Sequence, residues 1–379
     1  MKFKTLFLSA LCAMTVIGGF TSCTDDDDSP VFIDVTVADG VFVLNEGSYF
    51  AGINGTLDYL DYATGSITNN VFESVNQRSL GGTPNSAIII GDRAYIACSD
   101  ENRVEIVDAE TVIAASQNIT ITAPRELATD GSYLYVTSQA GCVIKVDLTT
   151  NLIVETTPVI GDRLEGIAYR DGYLYVCNSC KEIPDPETGF STWEYHTNLI
   201  KLNAETLAKV SDITVAANPN QIVSDGQYLY LASWGDYNQT PATVQQIDEN
   251  DEVSVIGTGQ KIAYDDNKLY IVNTEYDEYW NEVHTYKVLD LKTNLTTDFW
   301  GDTSLIFSPG TIGVDPVTHD VFITSYNKDD YGFASYTTNG YLVVYSNTNK
   351  YFSNAATKYN TGVGPCTLVF FNHSEAVKK

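Results

Sequence analysis

Residues 171 to 178 read Asp171-Gly172-Tyr173-Leu174-Tyr175-Val176-Cys177-Asn178, and residues 130 to 138 repeat them with one insertion as Asp130-Gly131-Ser132-Tyr133-Leu134-Tyr135-Val136-Thr137-Ser138. Asp-Gly is a tight-turn dipeptide, and the aromatic, aliphatic and β-branched run after it suits a strand. Working outward, the aromatic that anchors each copy recurs as Phe42, Tyr95, Tyr135, Tyr175, Tyr230, Tyr270 and Phe322. Eleven residues upstream of five consecutive anchors stand Pro84, Pro124, Leu164, Pro219 and Gly259; Pro309 precedes Phe322 by thirteen, Val317-Thr318-His319 being inserted. Downstream, an alternating stretch ends in Asp61, Asp108, Asp147, Asn203, Asp248 and Asp290, usually with Thr three residues later. Those residues are suited to Asx turns.

Each unit therefore predicts strand, Asp-Gly turn, strand, variable loop, strand, Asx turn, strand, at a minimum period of 40 residues. Four short strands per repeat without a useful amphipathic helix is the pattern of a propeller blade. Seven anchors predict an all-β, seven-bladed β-propeller over residues 39–373, with 374–379 as a C-terminal tail. Pro365 to Phe371 looks like an inner strand without an anchor strand, and Asp39 to Asn45 like an anchor strand without an inner one. Joined, they complete one blade and close the ring, removing open sheet edges.

The chain has 379 residues, 21 Lys+Arg against 49 Asp+Glu, a formal charge of −28, and 44% apolar and 12% aromatic residues. Such apolar content excludes a disordered chain. The charge argues against nucleic acid, which is bound chiefly by Lys and Arg neutralising phosphates, and against an anionic membrane surface. Met1-Lys2-Phe3-Lys4 followed by an apolar run to Phe20 reads as a signal peptide over 1–22. Phe20-Thr21-Ser22-Cys23 resembles a bacterial lipobox, which makes Cys23 the lipidation site and 23–38 a lipidated acidic linker. Asp25 to Asp28 resemble the tag that sends Gram-negative lipoproteins to the outer face of the outer membrane; simple secretion and a solvated linker are the plainer alternatives. Cys98, Cys142, Cys177, Cys180 and Cys366 remain, an odd number that excludes a complete disulfide framework. Cys177 and Cys180 fit either a local disulfide or two free thiols.

In a propeller, the loops between second and third strands and those entering the inner strands open on one face. The spacing from anchor to Asx residue is 13 and 12 in the Tyr95 and Tyr135 repeats but 18 to 28 in those of Phe42, Tyr175, Tyr230 and Tyr270, and the loop after Tyr326 is also long. A crescent of walls with one open side follows. The walls are aromatic: Tyr49, Phe50, Phe190, Trp193, Tyr195, Trp234, Tyr237, Tyr276, Tyr279, Trp280, Tyr326, Tyr331, Phe333 and Tyr336. Some of these rings are expected to form small loop cores and the rest to face a large, partly flat ligand. Below them, the residues after each Pro-like position, Asn85, Arg125, Glu165, Asn220 and Gln260, fall near the channel mouth. Six anchor strands end in Asn or Ser (Asn45, Ser138, Asn178, Ser233, Asn273, Ser325) and the seventh in Cys98. That ring suits either ligand amides or ordinary bonding between blades, with Arg125 and Glu165 paired. His196, His284, His319 and His373 are scattered, without zinc spacing, a Ser/His/Asp cluster or a phosphate-binding loop. The reading is a binding protein with no catalytic residue, no metal site and no cofactor of its own.

A lipobox with an acidic tag before seven such repeats resembles the YncE-like propellers. The aromatic loops, with Val41-Phe42-Val43-Leu44-Asn45-Glu46-Gly47-Ser48, are similar to the BtuG-type surface lipoproteins. The resemblance covers about residues 23 to 373. It implies capture of cobalamin (vitamin B12) at the outer surface and its transfer to a BtuB-type TonB-dependent transporter. Asn45, Asn178 and the loop and mouth residues above are then the ligand contacts, and an amide-fringed corrin ring suits aromatic walls over a polar floor. A glycan-binding or protein-interaction propeller is the alternative, and a propeller hydrolase or lyase the third.

Overall fold

The computed structural model describes residues 32–347 and 356–378. The signal peptide, Cys23 and the acidic run lie outside the described residues. Seven four-stranded antiparallel sheets are formed. Six are sequential, as in blade 2 with Pro84–Ile90, Arg93–Cys98, Arg103–Asp108 and Ile119–Thr120 from centre to rim. In blade 1, Pro365–Lys378 is the inner strand, followed by Phe32–Asn45, Thr56–Asp61 and Ser66–Thr68, so the two ends of the chain close the ring as expected.

The repeat motif is legible as hydrogen bonds. Asp130 Oδ1 accepts Ser132 N and Tyr133 N, each at 2.8 Å, while its Oδ2 takes the Tyr135 hydroxyl at 2.8 Å. One carboxylate thus shapes the turn and fixes the anchor ring; Gly131, at φ +90°, supplies the left-handed conformation the turn needs. Asp225 and Tyr230 repeat the device. Asp108 accepts Thr111 N and Thr111 Oγ1 at 2.7 Å, the expected Asx turn.

The anchor rings are buried, and adjacent blades share their cores. Tyr95 and Ala97 of blade 2, for example, pack with Leu134 and Val136 of blade 3. Strand pairing extends past the expected boundaries at 39 and 373. It runs from Ala38 opposite Asn372 to Phe32 opposite Lys378, after a register shift between Ala38 and Gly40. This ribbon leaves blade 1 at the end opposite the aromatic loops. A short helix, Val71–Asn76, follows the outer strand of blade 1, where Val71 and Phe72 are buried.

Candidate functional site

Inner strands begin, and second strands end, on one face, here called the upper face. Blades 2 and 3 cross it with the short turns 99–102 and 139–142. Blade 4 raises a long hairpin, Tyr173–Pro184 against Ser191–Asn203, and blade 6 another, Lys268–Tyr276 against Glu282–Asp290. Loops 46–55, 234–242 and 327–338 complete the crescent around the open side.

Four wall tips share a construction that the sequence reading missed. Asp236 Oδ1 accepts Asn238 N, Gln239 N and Thr240 N at 2.9, 2.8 and 2.7 Å. Asp277 takes Tyr279 N and Asn281 N, each at 2.8 Å, and Asp329 takes Tyr331 N and Phe333 N at 2.9 and 2.8 Å. Asp185 takes Glu187 N at 2.8 Å. Each acid stands at the base of a tip that carries exposed rings: Phe190, Tyr237, Tyr279 with Trp280, and Tyr331 with Phe333. Hydrogen bonds to the charged form hold Asp185, Asp277 and Asp236 below the usual carboxylate range, Asp236 at about 2. The rings are therefore presented by tips already shaped without ligand.

Most wall aromatics face solvent rather than forming loop cores. Phe50 is 99% exposed, Trp280 73% and Trp193 41%. Tyr49, Tyr237, Tyr276, Tyr331, Phe333 and Tyr336 are exposed as well. Tyr195 links the walls of blades 4 and 5 by meeting Tyr237 edge-on at 6.0 Å, while within single walls Tyr276 lies 6.3 Å from Trp280 and Tyr326 5.1 Å from Tyr336. Trp193 lies across the Arg163 guanidinium at 5.0 Å. Trp234 is half-buried and donates its indole N–H to Gln260 O at 2.8 Å, a fixed wall between blades 5 and 6.

At the mouth, the inner strand of six blades carries a register irregularity, between Pro84 and Ser86, Pro124 and Leu127, Leu164 and Ile167, Pro219 and Gln221, Pro309 and Ile312, and, in blade 1, Pro365 and Thr367. A bulge releases successive side chains from strict alternation. Buried threonines clasp two of them: Thr137 Oγ1 accepts Glu126 N at 2.9 Å and donates to Glu165 O at 2.8 Å, as Thr324 does with Thr311 N and Pro365 O.

The expected floor residues gather here. Arg125 Nε donates to Glu165 Oε2 at 2.8 Å, Asn85 Oδ1 accepts the Ser99 hydroxyl, and Gln260 Oε1 accepts Thr274 N at 3.0 Å. Asn220 stands half-buried at the same level. The polar ends of the anchor strands do not join them. Asn45, fully buried, donates to Asp58 Oδ2 at 2.9 Å and Thr56 Oγ1 at 3.0 Å. Asn178 accepts Asp162 N and donates to Asn198 Oδ1, both at 3.0 Å. Both amides are thus bonded within blades 1 and 4, while Asn45 Oδ1 and Asn273 Oδ1 stay buried without a hydrogen-bond partner.

Glu46, Glu126, Lys261 and Glu282 complete the mouth and were not foreseen. Tyr326 donates its hydroxyl to Glu46 Oε1 at 3.2 Å, and burial raises the Glu46 carboxyl against the pull of that bond and of Arg125 and Lys261. Burial pushes Glu126 up to about 7. Both Glu126 and Lys261 sit one residue after the repeat position that holds Arg125 and Gln260, so the register itself was a usable signal. His284 approaches Glu282 at 3.3 Å, and its ring also meets Thr274 Oγ1 and Phe307 O; His196 meets Asp162 at 2.7 Å. Among the described residues, no group of three or more His, Cys, Asp or Glu is placed to hold a metal ion. Cys177 and Cys180 are free thiols, both pushed up by burial.

The sequence family described as "Domain of unknown function (DUF5074)" matches residues 39–370. No curated protein matches the chain significantly. Among solved structures, the chain is similar to AztD of Citrobacter koseri at 12% identity, with 90% of this chain and 100% of that one covered and a TM-score of 0.54. It is similar to hydrazine synthase of Kuenenia stuttgartiensis at 17% identity, covering 74% and 96%, TM-score 0.51. The Pan2 WD40 domain of Neurospora crassa matches at 9% identity, covering 79% and 83%, TM-score 0.51. At these identities the likeness shows the propeller fold alone.

Proposed function

The chain belongs to the DUF5074 family, and from the geometry of its upper face we propose that it captures a broad, amide-rich small molecule there, with cobalamin as the ligand. One observation carries this reading: exposed rings on four Asp-fastened tips surround a polar mouth. Rings held ready for contact lower the ordering cost of binding and favour high affinity. Flat rings above Arg125, Glu165, Asn220 and Gln260 suit a corrin with a fringe of amides, and the BtuG-type resemblance supports that choice over other ligands. In this reading the protein binds without catalysis.

We place the protein at the outer surface of an outer membrane, anchored through lipid on Cys23, passing its ligand to a BtuB-type TonB-dependent transporter. The strand that begins at Phe32 enters blade 1 from the side opposite the aromatic loops, so a tether ahead of it leaves the upper face free. The low turns of blades 2 and 3 leave an open side for transfer. Calorimetric titration of residues 24–379 with cyanocobalamin, beside an oligosaccharide panel, tests the reading. Saturable one-to-one binding of cyanocobalamin is expected; saturation by an oligosaccharide instead would make this a glycan-binding propeller.

A further inference from the structure

Lys261 differs from the other charged groups of the mouth. It begins the inner strand of blade 6, where Gln260 is held by Thr274 N and Trp234 is bonded to Gln260 O. Its Nζ stands 5.8 Å from the centre of the Trp234 ring. Among the described residues, that ammonium has no hydrogen-bonded acceptor and no ion pair; Glu165 is held by Arg125 and Glu46 by the Tyr326 hydroxyl, while Glu282 lies 3.3 Å from His284 with its Oε2 without a hydrogen-bond partner, and Glu46 and Glu282 are the carboxylates whose charge reaches Lys261. Burial lowers the Lys261 pKa, the mark of an ammonium deprived of water. In blade 3, Arg125 gives only Nε to Glu165, its side chain remaining 23% exposed, so its two terminal nitrogens are also unengaged.

Glu165, Glu126 and Glu46 act on Arg125, and Glu46 and Glu282 on Lys261, yet both cations keep N–H donors that no hydrogen bond takes, and those donors are open to an acceptor that arrives from outside. Amides alone would be served by Asn and Gln at less desolvation cost. A phosphate oxyanion fits better, because its oxygens point in several directions and can face two walls at once, while a carboxylate presents one edge. We propose that the mouth is an oxyanion subsite, in which Lys261, backed by Trp234 and with Arg125 as a second donor, takes a phosphate ester substituent of the captured ligand. The proposal rests on the upper face being the ligand site.

The test uses Lys261→Met, which keeps the length of the side chain without charge, and Lys261→Arg, with folding checked by circular dichroism. Cyanocobalamin, which carries a phosphodiester, and dicyanocobinamide, which keeps the amide-fringed corrin without it, are titrated into parent and variants. Lys261→Met is expected to weaken cyanocobalamin roughly ten- to hundredfold, the value of one charge-assisted hydrogen bond, to leave cobinamide within about twofold, and Lys261→Arg to restore most of the loss. Equal losses for both corrinoids, or no loss for either, would overturn the subsite. Inorganic phosphate supplies an arm independent of corrin: at matched ionic strength against chloride it should raise the Tm of the parent more than that of Lys261→Met. If the parent binds no corrinoid, the cobalamin reading fails and this difference alone decides the subsite; no difference overturns it.

Discussion

Deleting residues 365–378 removes the inner strand of blade 1 and with it the closure of the ring. That strand faces two cores at once. Leu368 and Phe370 pack with Val41, Val43, Phe322 and Leu342, toward blade 7, and Cys366, Val369 and Phe371 pack with Phe42, Leu44 and Ile96, toward blade 2. Each large apolar side chain withdrawn from water contributes about 1.5–3 kcal/mol. Because the four large ones, Leu368, Val369, Phe370 and Phe371, are partly buried, the lower half of that range applies, giving roughly 6–9 kcal/mol. This is comparable with the whole stability of a domain, about 5–15 kcal/mol. The deletion also unpairs Phe42 from Val369 and Val43 from Leu368, leaving an open edge. The truncated protein is therefore expected to be aggregated or to lack a cooperative thermal transition. Deletion of 374–378 alone shortens only the ribbon and should leave the melt nearly unchanged. Phe370→Ala, which removes a ring 5.2 Å from Phe322, should lower Tm by several degrees, from about 2–4 kcal/mol. Circular dichroism melts with size-exclusion chromatography measure all three. A soluble chain without 365–378 that melts like the parent would refute the closure argument.

Four further outcomes are expected. Trp193→Ala, Tyr276→Ala and Trp280→Ala should each weaken cyanocobalamin, by about 2–4 kcal/mol or thirty- to thousandfold where the ring is a central contact; three folded variants that bind like the parent would remove the aromatic face from the site. Asp236→Ala and Asp277→Ala should unfasten their tips, weakening binding with a less favourable entropy by calorimetry while the global Tm stays put; unchanged affinity and entropy would mean the tips need no pre-shaping. Glu126, raised from 4.5 to about 7, holds a proton in the folded chain that the unfolded chain releases, so its stabilising contribution is complete below pH 4.5 and is lost as pH rises to about 7. Parent Tm relative to Glu126→Gln should therefore fall across that window, and parallel curves would count against an enclosed Glu126. Cys23→Ala should release the protein from membranes, and alanines at Asp25 to Asp28 should hide it from externally added protease; continued protease access would reject the export role.

The fold was legible because its determinants are local and repeated. In the Asp130 and Asp225 repeats one carboxylate makes the turn and holds the anchor tyrosine, so the motif encodes a turn and a packing contact together. Residues 32–37 and 373–378 gave no such signal: Ala38 is the last residue of that strand to join the core beside Val41 and Val43, and past it polar residues such as Asp34, Thr36 and Ser374 share the pairing with apolar ones. The polar ring was ambiguous for a different reason. An Asn at a strand end satisfies a ligand amide or a neighbouring strand equally well, and only the fold brings Asp58 and Thr56 to Asn45. The mouth was read one residue per blade, as strand alternation requires, and this is why Glu126, inside the Pro124 to Leu127 irregularity, was passed over; Lys261 begins a regular strand and was missed because only Gln260 before it was counted. Six blades break the alternation with bulges at that point, two of them clasped by threonines two residues after the anchor, Thr137 and Thr324. A bulge costs ladder bonds and is kept where it re-aims side chains. Its recurrence in six blades around one mouth, against a single shift at the opposite end, between Ala38 and Gly40 in blade 1, places the demand for extra polar groups on the upper face, the side where the aromatic tips also stand ready.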